Sequence, residues 1–496
     1  MSERVPGTAV IGLQWGDEAK GKVTDIEARQ HDVVVRYQGG KNAGHSVDDV
    51  AFHAIPSGVI REKLAYIASG CAVDLPGILE EIHEVEAVKT RLNIRGLLHI
   101  SPEASIVQPH QILNDLMEAG EIGTTGKGIG PHYSDKARRM VGKRRVDLRV
   151  GELVHYPEDT FRIMRRNLKE EIERAHANKD LPKEIVKAIL KKFGLRKSID
   201  AQRQALEELR HCIDHDPHWL FKRYDEGNRI LLEGAQAEGL DLVRGTTPYV
   251  TSSRLGLYAG LDNTGLPREA IGRVIGVGKL ETSRVGYGPF VSEFGGRRSE
   301  LYCMKDGGKA HTRDYEERMY GDRLDEMLAS GDDLQMGKAM RVMTGEYGIT
   351  SKRARRIGAF DAVQFAQAAR INEVTDIVLS KLDVMNIFSR TKDGMIPVVT
   401  GYTLDGEQID YIPTDERTLR RVKPEITYYP AFAEDISSVR FEKDLPRLAR
   451  EFIHKLQEVL ANGGNGKGKI KSVGVGPAPD QMVHLNGRTF GRRRSA

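Results

Sequence analysis

The chain has 496 residues, of which 39% are hydrophobic and 29% charged, so it can bury a sizeable core in one large domain or in two to three smaller ones. Its formal net charge of +4 is too weak to indicate nucleic-acid binding, although the basic residues suit anionic small molecules. No stretch has the apolar length of a membrane span, and we expect no signal peptide. Three widely spaced cysteines favour a reducing compartment, so we expect a cytoplasmic protein with neither nucleic-acid nor membrane partners.

The first predicted elements are a β-strand over residues 7–13 (GTAVIGL), a glycine-rich loop and a helix that begins near Lys22. Further strands are predicted over 33–39, 229–236, 274–280, 376–383 and 471–480. This alternation of strands, loops and helices predicts an α/β fold with a large, mainly parallel central sheet flanked by helices. Ligands of such folds collect at the carboxyl ends of the strands, so the loops that follow these strands are the candidate site.

Densely charged segments with apolar residues at helical spacing predict amphipathic surface helices over 158–193 and 443–460. Their mixed charges are typical of solvated helix faces. We therefore expect a helical subregion over about residues 150–228.

Residues 296–345 differ from the rest of the chain because they are rich in Gly, Asp, Arg and Met and contain no clear strand pattern. We interpret them as an insertion that is partly helical near 314–342. Residues 488–496 form a basic C-terminal tail. The expected organisation is a single domain over 1–496 that carries the helical subregion, the insertion and the tail.

The stretch QWGDEAKGKV (14–23) has the G-x4-G-K spacing of a phosphate-binding loop, but Val23 stands where Ser or Thr would hold Mg²⁺. Backbone N–H groups of such a loop and the positive end of the following helix form an anion site. Lys20 and Lys22 add positive charge. Ala19 stands where glycine would be comfortable, which matters if the backbone there needs a positive φ. An ordinary strand–turn–helix is the alternative interpretation.

Two further loops carry polar groups. KNAGHSV (41–47) places Asn42 and His45 among small residues, and histidine is the usual acid or base near neutral pH. A structural loop histidine is the alternative. GTTGKGIGPHYSDKARR (123–139) combines hydroxyls, backbone amides and arginines, which suit a phosphate monoester. A solvated loop is the alternative for this stretch.

Two stretches nearer the C-terminus suggest recognition of a base and of carboxylates. In SKLD (380–383), Asp383 can accept two hydrogen bonds from guanine, while the Lys381 stem can stack on the base. A surface carboxylate at a strand end is the alternative. GITSKRARR (348–356) has arginines that can bind carboxylates bidentately. A nucleic-acid patch competes with this interpretation, but it would require interleaved aromatic residues that are absent here.

These motifs occur together and in order. The chain resembles the adenylosuccinate synthetase family over about residues 8–483, in WGDEAKGK, RYQGGKNAGH, GTTGKGIGP, EGAQ, TPYVTSS, TSRVGYGPF, EYGITSKRARR, SKLDV and VGP. The resemblance implies a homodimer with a large, mainly parallel sheet. It also implies a ligase of AMP biosynthesis that joins L-aspartate to IMP at the expense of GTP, giving adenylosuccinate, GDP and phosphate. Mg²⁺ is the implied cofactor, and GTP is a substrate.

The resemblance also implies roles for individual residues. Asp17 would be the general base and, with the Gly44 carbonyl, a Mg²⁺ ligand, while His45 would be the general acid. The implied catalytic residues are Asp17, Lys20, His45 and Gln236. The implied IMP-binding residues are Asn42, Thr125, Arg139 (acting on the neighbouring subunit's IMP), Gln236, Thr251, Val285 and Arg353. The implied GTP-binding residues are Gly16, Glu18, Ala19, Lys20, Gly21, Lys22, Lys381, Asp383, Gly476 and Pro477. The implied aspartate-binding residues are Thr350, Ser351, Arg353 and Arg355.

The chain also departs from the family pattern near the implied pockets, at Ala19, Lys41, Val243, Arg244, Thr247, Arg254, Ser351, Lys352 and Ala354. None of these departures removes an implied catalytic group. Two alternatives therefore stay open. One is a paralogue that performs the same chemistry on another purine monophosphate such as dGMP. The other is a non-catalytic GTP-binding switch.

Overall fold

The structure, a computed structural model, describes residues 4–118, 125–179, 182–348, 352–464 and 466–485. The predictions for Thr350, Ser351 and the basic tail 488–496 lie outside these residues. The chain forms two compact units, which are described separately. Unit 1 comprises Met1–Ala9, Glu27–Ala235 and Thr251–Gly272, and unit 2 comprises Val10–Ile26, Gln236–Val250 and Arg273–Ala496.

The described residues contain strands distributed along the whole chain. They are β1 (Gly7–Gly12), β2 (Val33–Arg36), β3 (His45–Val47), β4 (Val50–Phe52), β5 (Leu64–Ile67), β6 (Ala72–Val73), β7 (Leu98–Ile100), β8 (Ser105–Ile106), β9 (Met140–Val141), β10 (Arg144–Arg145), β11 (Ile230–Glu233), β12 (Ile271–Lys279), β13 (Thr282–Arg284), β14 (Arg356–Gly358), β15 (Phe360–Asp361), β16 (Asp376–Ser380), β17 (Met395–Leu404), β18 (Glu407–Ile409), β19 (Lys423–Pro430), β20 (Lys469–Gly474) and β21 (Met482–His484).

The helices alternate with these strands. They are α1 (Lys20–Ala28), α2 (Leu75–Val88), α3 (Pro109–Met117), α4 (Ile129–Arg138), α5 (Val150–His155), α6 (Pro157–Ala177), α7 (Lys183–Lys192), α8 (Leu195–Leu209), α9 (Trp219–Asp225), α10 (Gly256–Thr264), α11 (Gly296–Met304), α12 (Arg313–Tyr320), α13 (Leu324–Ala329), α14 (Asp333–Thr344), α15 (Ala362–Ile371), α16 (Glu416–Leu419) and α17 (Arg447–Asn462).

The largest sheet has nine strands and is mostly parallel, which confirms the predicted fold class. In unit 1 the strand order is β11-β2-β5-β7, and in unit 2 it is β21-β20-β16-β12, with β21 antiparallel to β20. β1 is divided between the two units. Strands β1, β2 and β11 are buried along their whole length, as expected for parallel strands covered on both faces.

The predicted elements are confirmed, with shifted boundaries. The helix expected near Lys22 begins at Lys20, and the strand expected over 33–39 ends at Arg36. The helix expected over 443–460 begins only at Arg447, because Pro446 precedes it and cannot donate a backbone hydrogen bond within a helix. Within the described range 182–348, residues 296–345 contain helices α11 to α14 and no strand.

The carboxyl ends of the parallel strands determine where the candidate residues lie. In unit 2, β1 leads into the glycine-rich loop, β12 ends at Lys279, β16 leads into Lys381 and β20 leads into Gly476. Because parallel strands end at the same edge of a sheet, these segments of unit 2 lie close together. No helix of the described residues is long and apolar enough to cross a membrane.

Candidate functional site

The loop between β1 and α1 has an unusual backbone. φ is +99° at Gly16, +60° at Asp17 and +68° at Ala19. This left-handed region favours glycine, so Asp17 and Ala19 are strained there. The backbone at Ala19 therefore does need a positive φ, so this alanine occupies a position that favours glycine. Gly12 is needed for a different reason: a Cβ there would lie 2.7 Å from the Gln236 carbonyl oxygen.

Glu18 lies inside this loop and is fully buried. One carboxylate oxygen accepts hydrogen bonds from the backbone N–H groups of Gln14 (3.3 Å) and Gly16 (2.7 Å). The other oxygen accepts one from Lys20 Nζ at 2.5 Å. The backbone carbonyl of Glu18 accepts a bond from Ser380 Oγ at 3.1 Å, which connects the loop to the end of β16. The loop is therefore organised around an internal carboxylate.

Lys22 connects the loop to the segment that follows β20. Its ammonium group donates to the carbonyl oxygens of Gly476 and Gln481, both at 2.9 Å. Burial lowers the pKa of Lys22 from 10.5 to about 8, although Asp383 and Asp480 act in the opposite direction. The two implied GTP-binding segments, 16–22 and 476–477, are thus brought together in unit 2.

Asp17 contacts one of the arginines predicted to bind aspartate. Its Oδ2 lies 2.8 Å from Arg355 Nη2, and Arg355 Nη1 lies 2.9 Å from Glu346 Oε2. Burial acts to lower the pKa of Arg355, but Asp17 and Glu346 together raise it. The Asp17 side chain is 40% exposed, so it remains accessible to a substrate or an ion.

Glu346 is the centre of a buried ionic network in unit 2. Besides Arg355, it contacts Lys279 Nζ at 3.1 Å and makes a short hydrogen bond with Lys381. Burial would raise the pKa of Glu346, but the three cations hold it well below 4.5. Lys381 also contacts Glu281 at 2.8 Å, and burial raises the pKa of Glu281. The Lys381 ammonium is therefore fixed by two carboxylates.

Two predicted site residues have buried acceptor atoms without a hydrogen-bond partner among the described residues. They are Oδ1 of Asp383 and Oε1 of Gln236. Burial raises the pKa of Asp383, while Lys381 and Lys22 lower it. A buried acceptor without a partner costs free energy, so these two atoms are suited to donors supplied by a ligand.

The histidine predicted as an acid lies in unit 1 beside a buried carboxylate. Nε2 of His45 is 3.2 Å from Oε1 of Glu233. Glu233 Oε2 accepts from Ser57 N (2.9 Å) and Ser57 Oγ (3.1 Å), and Arg36 Nη1 is 3.5 Å from Oε1. Glu233 is thus held in place by several donors and orients the His45 ring.

The other predicted residues of unit 1 are more accessible. Thr125 and Arg139 are exposed, and Arg139 has a φ of +61° at the end of α4. Asn42 Oδ1 accepts from Gly40 N at 3.1 Å, while its Nδ2 is 3.5 Å from Thr251 Oγ1. Gly44 lies against a histidine: a Cβ there would be 3.0 Å from His53 Nδ1. Thr125 and Arg139 of unit 1 are therefore accessible to a ligand.

The residues that depart from the family pattern lie in different environments, some in ion pairs and others exposed. Lys41 donates to Glu80 at 2.6 Å, and Arg244 Nη1 lies 3.7 Å from Glu238 Oε1. Lys352 has a φ of +55°, which favours glycine, and Val243 is largely exposed. Val285, a predicted IMP contact, is also half exposed.

Among the described residues, five of the twelve non-glycine residues with left-handed backbone are predicted site residues. These five are Asp17, Ala19, Arg139, Gln236 and Lys381. Each such residue costs about 1–3 kcal/mol and persists only where the surrounding structure enforces it. Strain of this kind is typical of functional sites.

Sequence reasoning missed four buried charged residues of the candidate site: Glu233, Lys279, Glu281 and Glu346. Each lies at or near the end of an apolar strand or helix. A charged residue that interrupts an apolar run at a strand end could have indicated them, since such a residue needs a buried partner.

The donor set for a divalent cation is small. No group of three or more His, Cys, Asp or Glu side chains suitable for a metal occurs among the described residues. Mg²⁺ is usually bound by one or two carboxylates together with substrate phosphates and water, so it needs no such cluster. The accessible carboxylate of Asp17 fits that requirement.

The sequence comparisons agree with one another. The chain matches the family described as adenylosuccinate synthetase over residues 9–483. It is 35% identical to adenylosuccinate synthetase of Cutibacterium acnes, covering 97% of this chain and 99% of that protein. It is 33% identical to adenylosuccinate synthetase 2 of Cupriavidus pinatubonensis, covering 95% and 96%.

Two solved structures are similar to this one. The fully ligated adenylosuccinate synthetase from Plasmodium falciparum superposes with a TM-score of 0.75 at 27% identity, covering 97% of this chain and all of that chain. Succinoaminodeoxyadenylate synthetase (PurZ) of cyanophage S-2L, bound to dGMP and dATP, superposes with a TM-score of 0.53 at 16% identity, covering 97% and 96%. The second similarity concerns the fold alone.

The mainly parallel sheet and the phosphate-type loop after its strand β1 define a nucleotide-binding α/β protein, and the relatives place it among the ligases. More narrowly, the chain belongs to the adenylosuccinate synthetase family. It is therefore a ligase of purine nucleotide biosynthesis in the branch that leads to AMP.

Proposed function

We propose that this chain joins L-aspartate to IMP in a GTP-dependent reaction through 6-phosphoryl-IMP, giving adenylosuccinate, GDP and phosphate. The observation that carries the proposal is the contact between Asp17 in the phosphate-type loop (residues 14–23) and Arg355 in the arginine loop (residues 352–356). It joins the residue expected to act on the purine to the residue expected to hold the amino acid, 2.8 Å apart, within one unit.

In the first step, Asp17 accepts the N1 proton of IMP, which makes O6 nucleophilic. O6 then attacks the γ-phosphorus of GTP, the bond to the β–γ bridging oxygen breaks, and GDP leaves. Lys20, the loop amides and His45 offset the charge that develops on the transferring group. Glu233 supports this role of His45 because its carboxylate oxygen Oε1 lies 3.2 Å from Nε2 of the ring.

In the second step, the α-amine of L-aspartate attacks C6, and phosphate leaves with the former O6. Arg353 and Arg355 would hold the aspartate carboxylates in bidentate geometry. Asp17 would also be a ligand of Mg²⁺, with the Gly44 carbonyl as a further donor. The ion would neutralise phosphate charge when bound.

The choice of GTP rests on Asp383. Its buried Oδ1 has no hydrogen-bond partner within the part of the chain that the structure describes. Guanine offers two donors, N1–H and N2–H, whereas the corresponding edge of adenine lacks this pair. An ionised Asp383 would therefore favour guanine over adenine.

The proposal includes a homodimer in which Arg139 reaches the IMP phosphate of the other subunit. Its support is the position of Arg139, which is exposed at the end of α4 and has a backbone φ of +61°. The proposal also includes a cytoplasmic location, which is supported by three free, buried cysteines.

A product assay tests the proposal. Purified protein, Mg²⁺, GTP and L-aspartate are combined separately with IMP, GMP, dGMP and XMP, and the products are identified by mass. We expect a succinylated product from IMP alone. A succinylated product from dGMP or another purine instead would assign the chain to a paralogue. GTP hydrolysis that needs neither purine nor aspartate would indicate a switch.

A further inference from the structure

The insertion 296–345 packs directly against the arginine loop to which the proposed function assigns aspartate. Thr312 and Arg353 form an antiparallel backbone bridge. Gly308, with a φ of +81°, lies against the Arg353 side chain, and a Cβ there would be 2.9 Å from Arg353 Cδ. The insertion therefore touches Arg353 through both its backbone and its side chain.

A buried ion pair within the insertion reaches the second arginine of the loop. Arg341 in α14 binds Glu316 in α12 bidentately, with N–O distances of 2.7 and 2.6 Å, and both side chains are at most 1% exposed. The remaining guanidinium nitrogen, Nη1, donates to the backbone carbonyl of Arg355 at 2.9 Å. Glu316 thus fixes Arg341, and Arg341 fixes the backbone of Arg355.

A departure from the family pattern agrees with this arrangement. Ala354 stands where the family has an arginine, and it is buried in a cluster with Cys303 of the insertion and Tyr347. Its backbone also forms a bridge to Tyr347. A long charged side chain at residue 354 would not fit among these apolar groups. The small alanine is therefore what allows the insertion to pack against the loop at this position.

From these contacts we infer that the insertion is a built-in support for the amino-acid-binding loop. Glu316 and Arg341 are positioning residues, which hold Arg355 ready for a dicarboxylic amino acid before that substrate arrives. The loop then needs less reorganisation on binding, so the insertion lowers the KM for L-aspartate. The amino-acid part of this inference rests on the proposed function.

The test replaces the ion pair with apolar side chains of similar volume. The variant Glu316→Leu/Arg341→Met/Tyr347→Phe also removes the Tyr347 hydroxyl that donates to Glu316 at 2.6 Å. Such replacements of buried ion pairs often leave stability unchanged, so the variant should fold. We expect the KM for L-aspartate to rise about tenfold while kcat and the KM for GTP change less than about twofold.

The matched control is Lys338→Met, one turn earlier in α14. The Lys338 ammonium lies 4.0 Å from the centre of the Tyr302 ring. Both residues belong to the insertion rather than to the arginine loop. The control should leave both KM values unchanged. An equal rise in the KM for L-aspartate in both variants, or no rise in the triple variant, would overturn the inference.

A second measurement does not depend on catalysis. Hydrogen–deuterium exchange without ligands should show protected amides within 352–356, where Lys352 N donates to Gly348 O and Arg355 N donates to Glu346 O. Protection should fall in the triple variant and persist in Lys338→Met. If the unsubstituted protein makes no succinylated product, the proposed function fails, and this exchange result alone decides whether the insertion supports the loop.

Discussion

The predicted site residues of the two units differ in how firmly the protein holds them. In unit 2, Asp17, Arg355 and Lys381 join a network of buried charges around Glu346. In unit 1, Thr125 and Arg139 are exposed, and the contact between Asn42 and Thr251 is at the limit of a hydrogen bond. His45 is the exception because Glu233 holds it.

This difference has a physical meaning. Charges that are fixed in a buried network cost little reorganisation during a reaction, which suits groups that stabilise a transferring phosphoryl group. Exposed hydroxyl and guanidinium groups suit recognition of a nucleotide that arrives from solvent. We therefore expect variants at Asp17, Glu346 and Lys381 of unit 2 to affect chemistry, GTP and aspartate, and variants at Thr125 and Arg139 of unit 1 to affect IMP.

The largest effect is expected for Asp17→Asn, which removes the proposed base while keeping the size of the side chain. Turnover should fall by about 10³-fold or more, because an amide cannot accept the N1 proton. Thermal unfolding should be nearly unchanged. The control is Asp405→Asn, since Asp405 also has a positive φ and pairs with an arginine, Arg421, outside the candidate site. Substantial residual activity in Asp17→Asn would disprove the assigned base.

Arg139→Ala should lower kcat/KM for IMP by about 10²-fold, because a charge-assisted contact to phosphate is lost. Arg138→Ala is the matched control, since Arg138 is the adjacent exposed arginine of α4. If Arg139 acts across a dimer, mixing Arg139→Ala with Asp17→Asn should restore about a quarter of normal activity, because heterodimers then contain one intact site. No recovery on mixing would place Arg139 in its own subunit's site or outside both.

Glu346→Gln tests the buried network. Removing one negative charge from among three cations should destabilise the protein by about 3 kcal/mol and raise the KM values for GTP and L-aspartate about tenfold. Glu233→Gln, an equally buried carboxylate in unit 1, should instead lower kcat and leave the KM for L-aspartate unchanged. Denaturant unfolding and steady-state kinetics measure both. Identical kinetic profiles for the two variants would contradict the expectation that Glu346 and Glu233 support different steps of the reaction.

A smaller effect is expected from pH. Lys22 is charged below its pKa of about 8 and neutral above it, so its attraction for phosphate is present at pH 7 and is lost as the pH rises through 8. The Kd for GTP should therefore increase about fivefold between pH 7 and 9. In Lys22→Arg, which stays charged, this increase should disappear. Parallel profiles for the two proteins would show that another group titrates.

The smallest effect is expected for Ala19→Gly, because glycine adopts the φ of +68° without a Cβ penalty. The free energy of unfolding should rise by about 1 kcal/mol, with activity changed less than about twofold. Ala201→Gly, at an exposed position in α8, should lower it by a similar amount of about 1 kcal/mol. Denaturant titration distinguishes the two signs, and a loss of stability in Ala19→Gly would contradict the strain at this position.

Local patterns were sufficient to predict the elements of the fold. The apolar run of β1, the glycines after it and the helix from Lys20 are short-range features, and the structure contains all three. Positive φ at Gly16 could be expected from its residue type, but Asp17, Gln236 and Lys381 could not, because tertiary contacts impose that conformation on them.

The partners of the site residues could not be predicted, because they are distant in the chain. Ser380 Oγ donates a hydrogen bond to the backbone carbonyl of Glu18, 362 positions away in the chain. No local sequence pattern indicates a pairing over such a distance. The Lys381 stem was expected to stack on a base, and that role stays a prediction. What the structure adds is that its ammonium is held by Glu281 and Glu346.

The most direct test of the proposed chemistry follows one oxygen atom. IMP labelled with ¹⁸O at position 6 is incubated with the protein, Mg²⁺, GTP and L-aspartate, and the released phosphate is analysed by mass spectrometry. If O6 attacks the γ-phosphorus and leaves when the amine displaces it, each phosphate carries one ¹⁸O atom. Unlabelled phosphate, formed at the same rate as adenylosuccinate, would contradict the 6-phosphoryl-IMP intermediate and the role of Asp17 in activating O6.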